Sequence, residues 1–124
     1  MKLLLDTHAL LWWQTNDRRL TLPARKAIAG ADVVWVSAVT ACEVAIKMTR
    51  RRLRTSEPVR ATIGVDDLTE LPVTVRHGED LARLPLHHTD PFDRILIAQA
   101  RVEGATIVTH DRAFEPYGVP VIWT

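Results

Sequence analysis

Short apolar runs separated by helix-like stretches constrain this chain more than any other feature. Lys2 to Leu5, Val33 to Val36, Leu71 to Val75, Ala105 to Val108 and Val119 to Trp123 each read as a strand. The first two are apolar on successive residues, as strands buried on both faces are. Asp6-Thr7 opens a helical stretch, His8 to Gln14. Thr21-Leu22-Pro23 supplies a cap residue and an early proline for a helix to about Gly30, and Ser37 is an N-cap for one reaching about Arg52. Pro58 to Leu68 and Arg76 to Leu84 are expected as further helices, although Gly64 weakens the former. Leu86-His87-His88-Thr89 reads as a loop. Asp90-Pro91 then starts the clearest helix, ending near Gly104, and Asp111 to Tyr117 is a turn or short helix. Strands alternating with helices imply crossover connections and a mainly parallel sheet flanked by helices, an α/β/α sandwich.

The chain of 124 residues is expected to form one domain, 1–124. Its hydrophobic fraction of 47% and charged fraction of 25% are those of an ordinary globular protein, and a net charge of +1 argues neither for nucleic acid nor against it. Cys42 is the single cysteine, which excludes an internal disulfide and fits a reducing compartment. No apolar run approaches the roughly 18 residues of a membrane span. One lysine and a short leucine run, followed by Asp6 and His8, make a poor signal peptide. The cytoplasm is the expected location.

In a parallel sheet, ligands bind beyond the carboxyl ends of the strands. Asp6 and Asp111 both follow strands there, and Glu43 and Asp93 lie in or at the mouth of apolar helices. Each acid alone has a plain structural explanation. Asp6 and Asp111 could cap helices, and Asp90-Pro91-Phe92-Asp93 is a helix start that needs no chemistry. Glu43 could complete a capping box from Thr40, or pair with Lys47 four residues on. Caps do not explain the set. From a start at Ser37, Glu43 falls on the stripe of Val39 and Ile46, while Asp93 shares one with Ile97 and Ala100. Burying an unpaired acid costs several kcal/mol.

Two carboxylates about 4 Å apart at an effective dielectric near 20 repel by roughly 4 kcal/mol. A divalent cation reverses that sign, and an all-oxygen donor set suits Mg²⁺ or Mn²⁺ better than zinc. Asp6, Glu43, Asp93 and Asp111 are therefore expected to form one metal site. His87-His88 lacks helical ligand spacing and reads as a loop feature. There is no Gly-rich phosphate loop, no Gly-x-Ser-x-Gly elbow, and no Asp-x-Asp after the first strand.

The ordered set Leu3-Leu4-Leu5-Asp6-Thr7-His8-Ala9-Leu10-Leu11-Trp12-Trp13, Val36-Ser37-Ala38, Cys42-Glu43-Val44-Ala45-Ile46-Lys47, Asp90-Pro91-Phe92-Asp93-Arg94-Ile95-Leu96-Ile97-Ala98-Gln99-Ala100 and Val108-Thr109-His110-Asp111-Arg112-Ala113-Phe114 spans nearly the whole chain. It resembles the PIN domain, and within it the toxin ribonucleases of VapBC toxin–antitoxin pairs. The resemblance implies a sheet between helices, with an acidic pocket at one edge that binds metal through Asp6, Glu43, Asp93 and Asp111. Thr109 matches the family's hydroxyl residue two before the last acid, and Thr7 a similar one after the first. Asp90 matches an extra acid of the subgroup, expected as a cap or supporting group. Cys42 stands where a bulky residue such as tryptophan is common.

The activity so implied is Mg²⁺- or Mn²⁺-dependent hydrolysis of RNA phosphodiesters, leaving a 5′-phosphate and a 3′-hydroxyl. Implied partners are RNA, a VapB-like antitoxin whose tail enters the acidic groove, and a second copy of the chain. Basic residues must then serve the site. Lys47, Arg50, Arg51, Arg52 and Arg54 form the densest group, with Arg94 and Arg112 beside site acids. They could contact RNA phosphates or an acidic antitoxin segment; the group ending the Glu43 helix equally suits that helix's dipole. Trp12 and Trp13 are expected in the core or a protein interface. Competing readings are a metal-dependent phosphohydrolase or receiver-like phosphoacceptor, a non-catalytic module, and a DNA-directed nuclease. The final third has no lysine to cradle an acyl phosphate, and no residue reports reading of a 2′-hydroxyl.

Overall fold

A computed structural model describes residues 1–54 and 57–124. Strands β1 (Lys2–Leu5), β2 (Val33–Ser37), β3 (Leu68–Leu71), β4 (Thr106–Thr109) and β5 (Val121–Trp123) form one sheet in the order β3-β2-β1-β4-β5. Every pairing is parallel. Helices α1 (Thr7–Gln14), α2 (Leu22–Gly30), α3 (Ala38–Thr49), α4 (Val59–Thr62), α5 (Val75–Leu81) and α6 (Pro91–Glu103) make the connections, and a 3-10 helix, Arg112–Tyr117, precedes β5.

The pleat of β1 explains the layering. Leu3 and Leu5 face one side, packing with Leu10, Trp12, Ala24, Ile28 and Val44 of α1 to α3. Leu4 faces the other, against Leu96, Ile97, Ala100 and Phe114. All three leucines are fully buried, so truncating any one to alanine should cost about 2–5 kcal/mol. Trp12 lies in the core and Trp13 packs partly buried against it.

The region between α3 and α5 departs from expectation. The helix expected over Pro58 to Leu68 is only the single turn Val59–Thr62. Gly64 and Asp67 take positive φ, which breaks the helix and turns the chain into β3. The strand accordingly occupies Leu68–Leu71 rather than Leu71 to Val75. Pro72, lacking an N–H, follows its last residue, and Thr74 caps α5. Helix α3 stops at Thr49, short of Arg52, where Arg51 adopts a φ of 55°.

The strand order reverses direction at β1, with β2 on one side and β4 on the other. Asp6 follows β1 and Asp111 lies two residues beyond β4, so both stand at the carboxyl edge at this switch point.

Candidate active site

Asp6 is the most constrained acid. It is the N-cap of α1: Oδ1 accepts a hydrogen bond from the Ala9 amide at 2.8 Å. Its other oxygen accepts from the Thr109 hydroxyl at the end of β4. The side chain is therefore fixed by a helix start and by a neighbouring strand. Burial raises its pKa above the ordinary carboxylate value, opposed by the bonds from Thr109 and Ala9 and by the nearby His8 and His110.

Glu43 comes from α3, which Ser37 caps at the end of β2 through a bond from the Val39 amide. It is buried within the helix. Its Oε1 accepts from the Thr7 hydroxyl at 2.6 Å, and its Oε2 from Lys47 Nζ at 2.5 Å. The i,i+4 pair and the inward-facing acid thus coexist. The stripe expected to carry it is only partly realised: Val39 is buried beside it, but Ile46 is exposed and Val44 faces inward instead. Burial works against the Lys47 ammonium, yet the bond to Glu43 and the charges of Glu43, Asp90 and Asp93 hold its pKa above the ordinary lysine value.

Asp93 lies in the first turn of α6. Asp90 is that helix's N-cap, its Oδ1 accepting from the amides of Phe92 at 2.9 Å and Asp93 at 3.2 Å. The Asp93 pKa is raised to about 8, first by burial and then by the charges of Asp90, Asp111, Glu43 and Asp6. The charges of four acids, drawn from α1's start, α3, the start of α6 and the turn after β4, thus converge on Asp93 at a single edge. Asp111 is exposed; its backbone N–H donates to Thr109 Oγ1 at 3.0 Å, and its Oδ1 caps the 3-10 helix. Thr109 therefore links the first acid to the last, and Thr7 ties the first helix to Glu43.

The oxygen-only donor set suits a hard divalent cation. As it stands, no group of three His, Cys, Asp or Glu side chains among the described residues is arranged to hold one. The carboxylates share an edge and a repulsive field, with Lys47 Nζ the cation directly bonded to Glu43.

The basic residues divide. Lys47, Arg50 and Arg52 line a cavity of about 590 Å³ together with Thr89 and Asp90. Arg51 is exposed. Arg94 instead donates to the carbonyls of Pro85 and Leu84 and to the Tyr117 hydroxyl, which commits it to holding the loop before α6. Arg112 lies 4.1 Å from the Trp123 ring centroid. His88 lies in the loop before α6, as the sequence implies, yet it also reaches the acidic edge. Its Nε2 lies 3.3 Å from Asp93 Oδ2, and its Nδ1 2.7 Å from the Tyr117 hydroxyl. The proximity of His88 to Asp93 across a capped helix start was the available signal.

The sequence pattern of the PIN domain matches residues 3–119. The chain belongs to the PIN domain family. Among PIN relatives it is 29% identical over 120 residues to Ribonuclease VapC22 of Mycobacterium tuberculosis, a match covering 94% of this chain and 92% of that protein. The fold is similar to that in VapBC2 from Rickettsia felis bound to a DNA fragment from their promoter, with TM-score 0.75, 12% identity and coverage of 100% of this chain and 99% of that one. It is also similar to Mycobacterium tuberculosis VapC20, a Sarcin-Ricin loop cleaving toxin, with TM-score 0.68, 21% identity and coverage of 98% and 99%. Both likenesses concern the PIN fold.

Proposed function

We propose that this PIN domain is an endoribonuclease, the toxin of a VapBC-type toxin–antitoxin pair, dependent on Mg²⁺ or Mn²⁺. The observation that carries the reading is the convergence of Asp6, Glu43 and Asp111 on Asp93 at the β1/β4 switch point, the four drawn from the ends of two strands and from two helices. Relatives named as ribonuclease and as VapBC complexes support it.

Asp6, Glu43, Asp93 and Asp111 would hold the metal, which when bound supplies an acidified, oriented water and offsets charge on the phosphate. Thr109 fixes the orientation of Asp6, and Thr7 that of Glu43. Asp90 fixes the start of α6 and so the position of Asp93. Lys47, Arg50, Arg51 and Arg112 would attract RNA phosphates or an acidic antitoxin tail. Arg94 contributes through the loop it holds. A homodimer and a VapB-like antitoxin complete the proposed assembly. Among the described residues no helix is long and apolar enough to cross a membrane, and we place the activity in the cytoplasm as part of the same reading.

The test is cleavage of cellular RNA by purified protein in Mn²⁺, with Asp6→Asn and EDTA controls and sequencing of the new ends. The expected result is cleavage with 5′-phosphate ends, absent from both controls. Undiminished cleavage by Asp6→Asn would overturn the assignment.

A further inference from the structure

A cavity of about 790 Å³ opens beside the acidic edge, lined by His8, Leu11, Trp12, Asp17, Arg19 and Arg54 among others. His8 joins the two places. It directly follows Thr7, the partner of Glu43, and its charge acts on Asp6. Its exposed ring makes an edge contact, 5.6 Å between centroids, with His110, which directly precedes Asp111.

The wall of this cavity is pre-arranged. Trp12 is buried, and the Arg19 guanidinium lies 5.0 Å from its ring centroid. Two bonds to Asp17, from Nε at 3.0 Å and Nη2 at 2.8 Å, hold the guanidinium plane in a fixed orientation. The Arg19 side chain nevertheless remains 69% exposed, leaving its outer surface free. The pairing with Asp17 offsets its charge, so Arg19 presents a flat surface more than a cation. Arg54 differs: it is exposed and has no ion pair or hydrogen bond among the described residues. A planar surface, an exposed imidazole and an unpaired cation in one cavity of ligand size match the base and phosphate of an unpaired nucleotide.

We propose that this cavity holds an unpaired nucleotide of single-stranded RNA next to the scissile phosphate, its base stacked on Arg19 and against His8 and its phosphate on Arg54. The placement next to the scissile bond rests on the ribonuclease reading; the nucleotide site itself does not. It would make an extruded or single-stranded base part of substrate selection.

The test uses the full chain carrying Asp93→Asn, a 12-nucleotide fluorescein-labelled single-stranded RNA and its duplex, with anisotropy as readout. Arg19→Ala, His8→Ala and Arg54→Ala should each weaken single-strand binding roughly tenfold, the loss of one stacked base or charged contact. Arg19→Lys should lose as much as Arg19→Ala, because charge survives but the plane does not. Arg76→Ala, the same charge change on α5 across the sheet, should matter less than about twofold. Photocrosslinking with 4-thiouridine should label tryptic peptide 3–18, which contains His8 and Trp12. Single-strand binding unchanged in both Arg19→Ala and His8→Ala, parental binding by Arg19→Lys, or crosslinks confined to other peptides would each overturn the proposal. Crosslinking in 3–18 by a wild-type protein that cleaves no RNA would sink the ribonuclease reading while leaving the nucleotide site standing. Cleavage abolished by Asp6→Asn, with no effect of the cavity variants on binding, would do the reverse.

Discussion

The two ends of α6 hold buried polar groups in opposite ways. At its C-terminal end Glu103 Oε2 lies 2.8 Å from Nε2 of the buried His77, whose Nδ1 accepts the Thr74 backbone N–H at 2.9 Å. That acceptor role, shared with the Gln99 amide at 3.5 Å, fixes the ring proton on Nε2, so both nitrogens are matched. At the N-terminal end burial and then the charges of four other carboxylates raise the Asp93 pKa to about 8, with His88 Nε2 3.3 Å from its Oδ2. Polar burial at one end completes a capping box and secures α5. At the other it leaves a cluster of carboxylates whose repulsion a bound proton or a cation relieves. A site meant for a ligand is left unbalanced in the free chain, whereas a site meant for the fold is balanced within it.

The largest expected effect lies at the unbalanced end. Asp93→Asn should reduce RNA cleavage by on the order of 10²–10³-fold, measured as single-turnover rates in Mn²⁺, without lowering the stability of the metal-free chain. His77→Ala should invert that pattern. Removing a buried ring and leaving Glu103 and the Thr74 amide unmatched should cost about 2–4 kcal/mol in urea unfolding, with the cleavage rate per folded molecule unchanged. A variant that loses stability at the first position and activity at the second would break the comparison.

Metal sharpens it further. At about 100 times its dissociation constant, Mn²⁺ should stabilise the wild-type chain by about 2.7 kcal/mol, reversibly with EDTA, and Asp93→Asn should respond far less. The pH dependence has a fixed sign. Asp93 holds its proton to about pH 8 when folded, against an ordinary value of 3.8. Between those limits the folded chain binds more protons than the unfolded one, so metal-free stability should fall as pH rises from about 4 to 8. Asp6, raised in the same direction by burial, adds to that slope. A melting series that climbs with pH across this window in EDTA would contradict the repulsive field.

Much of this was legible in the residues. Unbroken apolar runs identify β1 and β2, and the alternation of runs with capped helices implies a parallel sheet, with Asp6 and Asp111 at its carboxyl edge. Asp90-Pro91 marked the start of α6 and so located Asp93. The failures share a cause. Between Thr62 and Leu71 the backbone is governed by two positive-φ residues, Gly64 and Asp67, and hydrophobic period carries no information about them. The helical stripe through Glu43 predicts an inward Ile46, but near the end of α3 that residue is exposed. His88 lies in a loop as the sequence implies, but its partner Tyr117, like the Pro85 carbonyl that Arg94 holds, becomes a neighbour only in three dimensions.

The link between Asp6 and Thr109 joins residues 103 positions apart. During synthesis the first acid emerges early, but the strand that orients it comes within the last fifth of the chain. A ribosome would thus carry an inert precursor until β4 slides in beside β1, and a truncated chain ending before Thr106 should leave RNA intact. On the ribonuclease reading proposed above, incomplete copies of the chain would lack the support that orients Asp6.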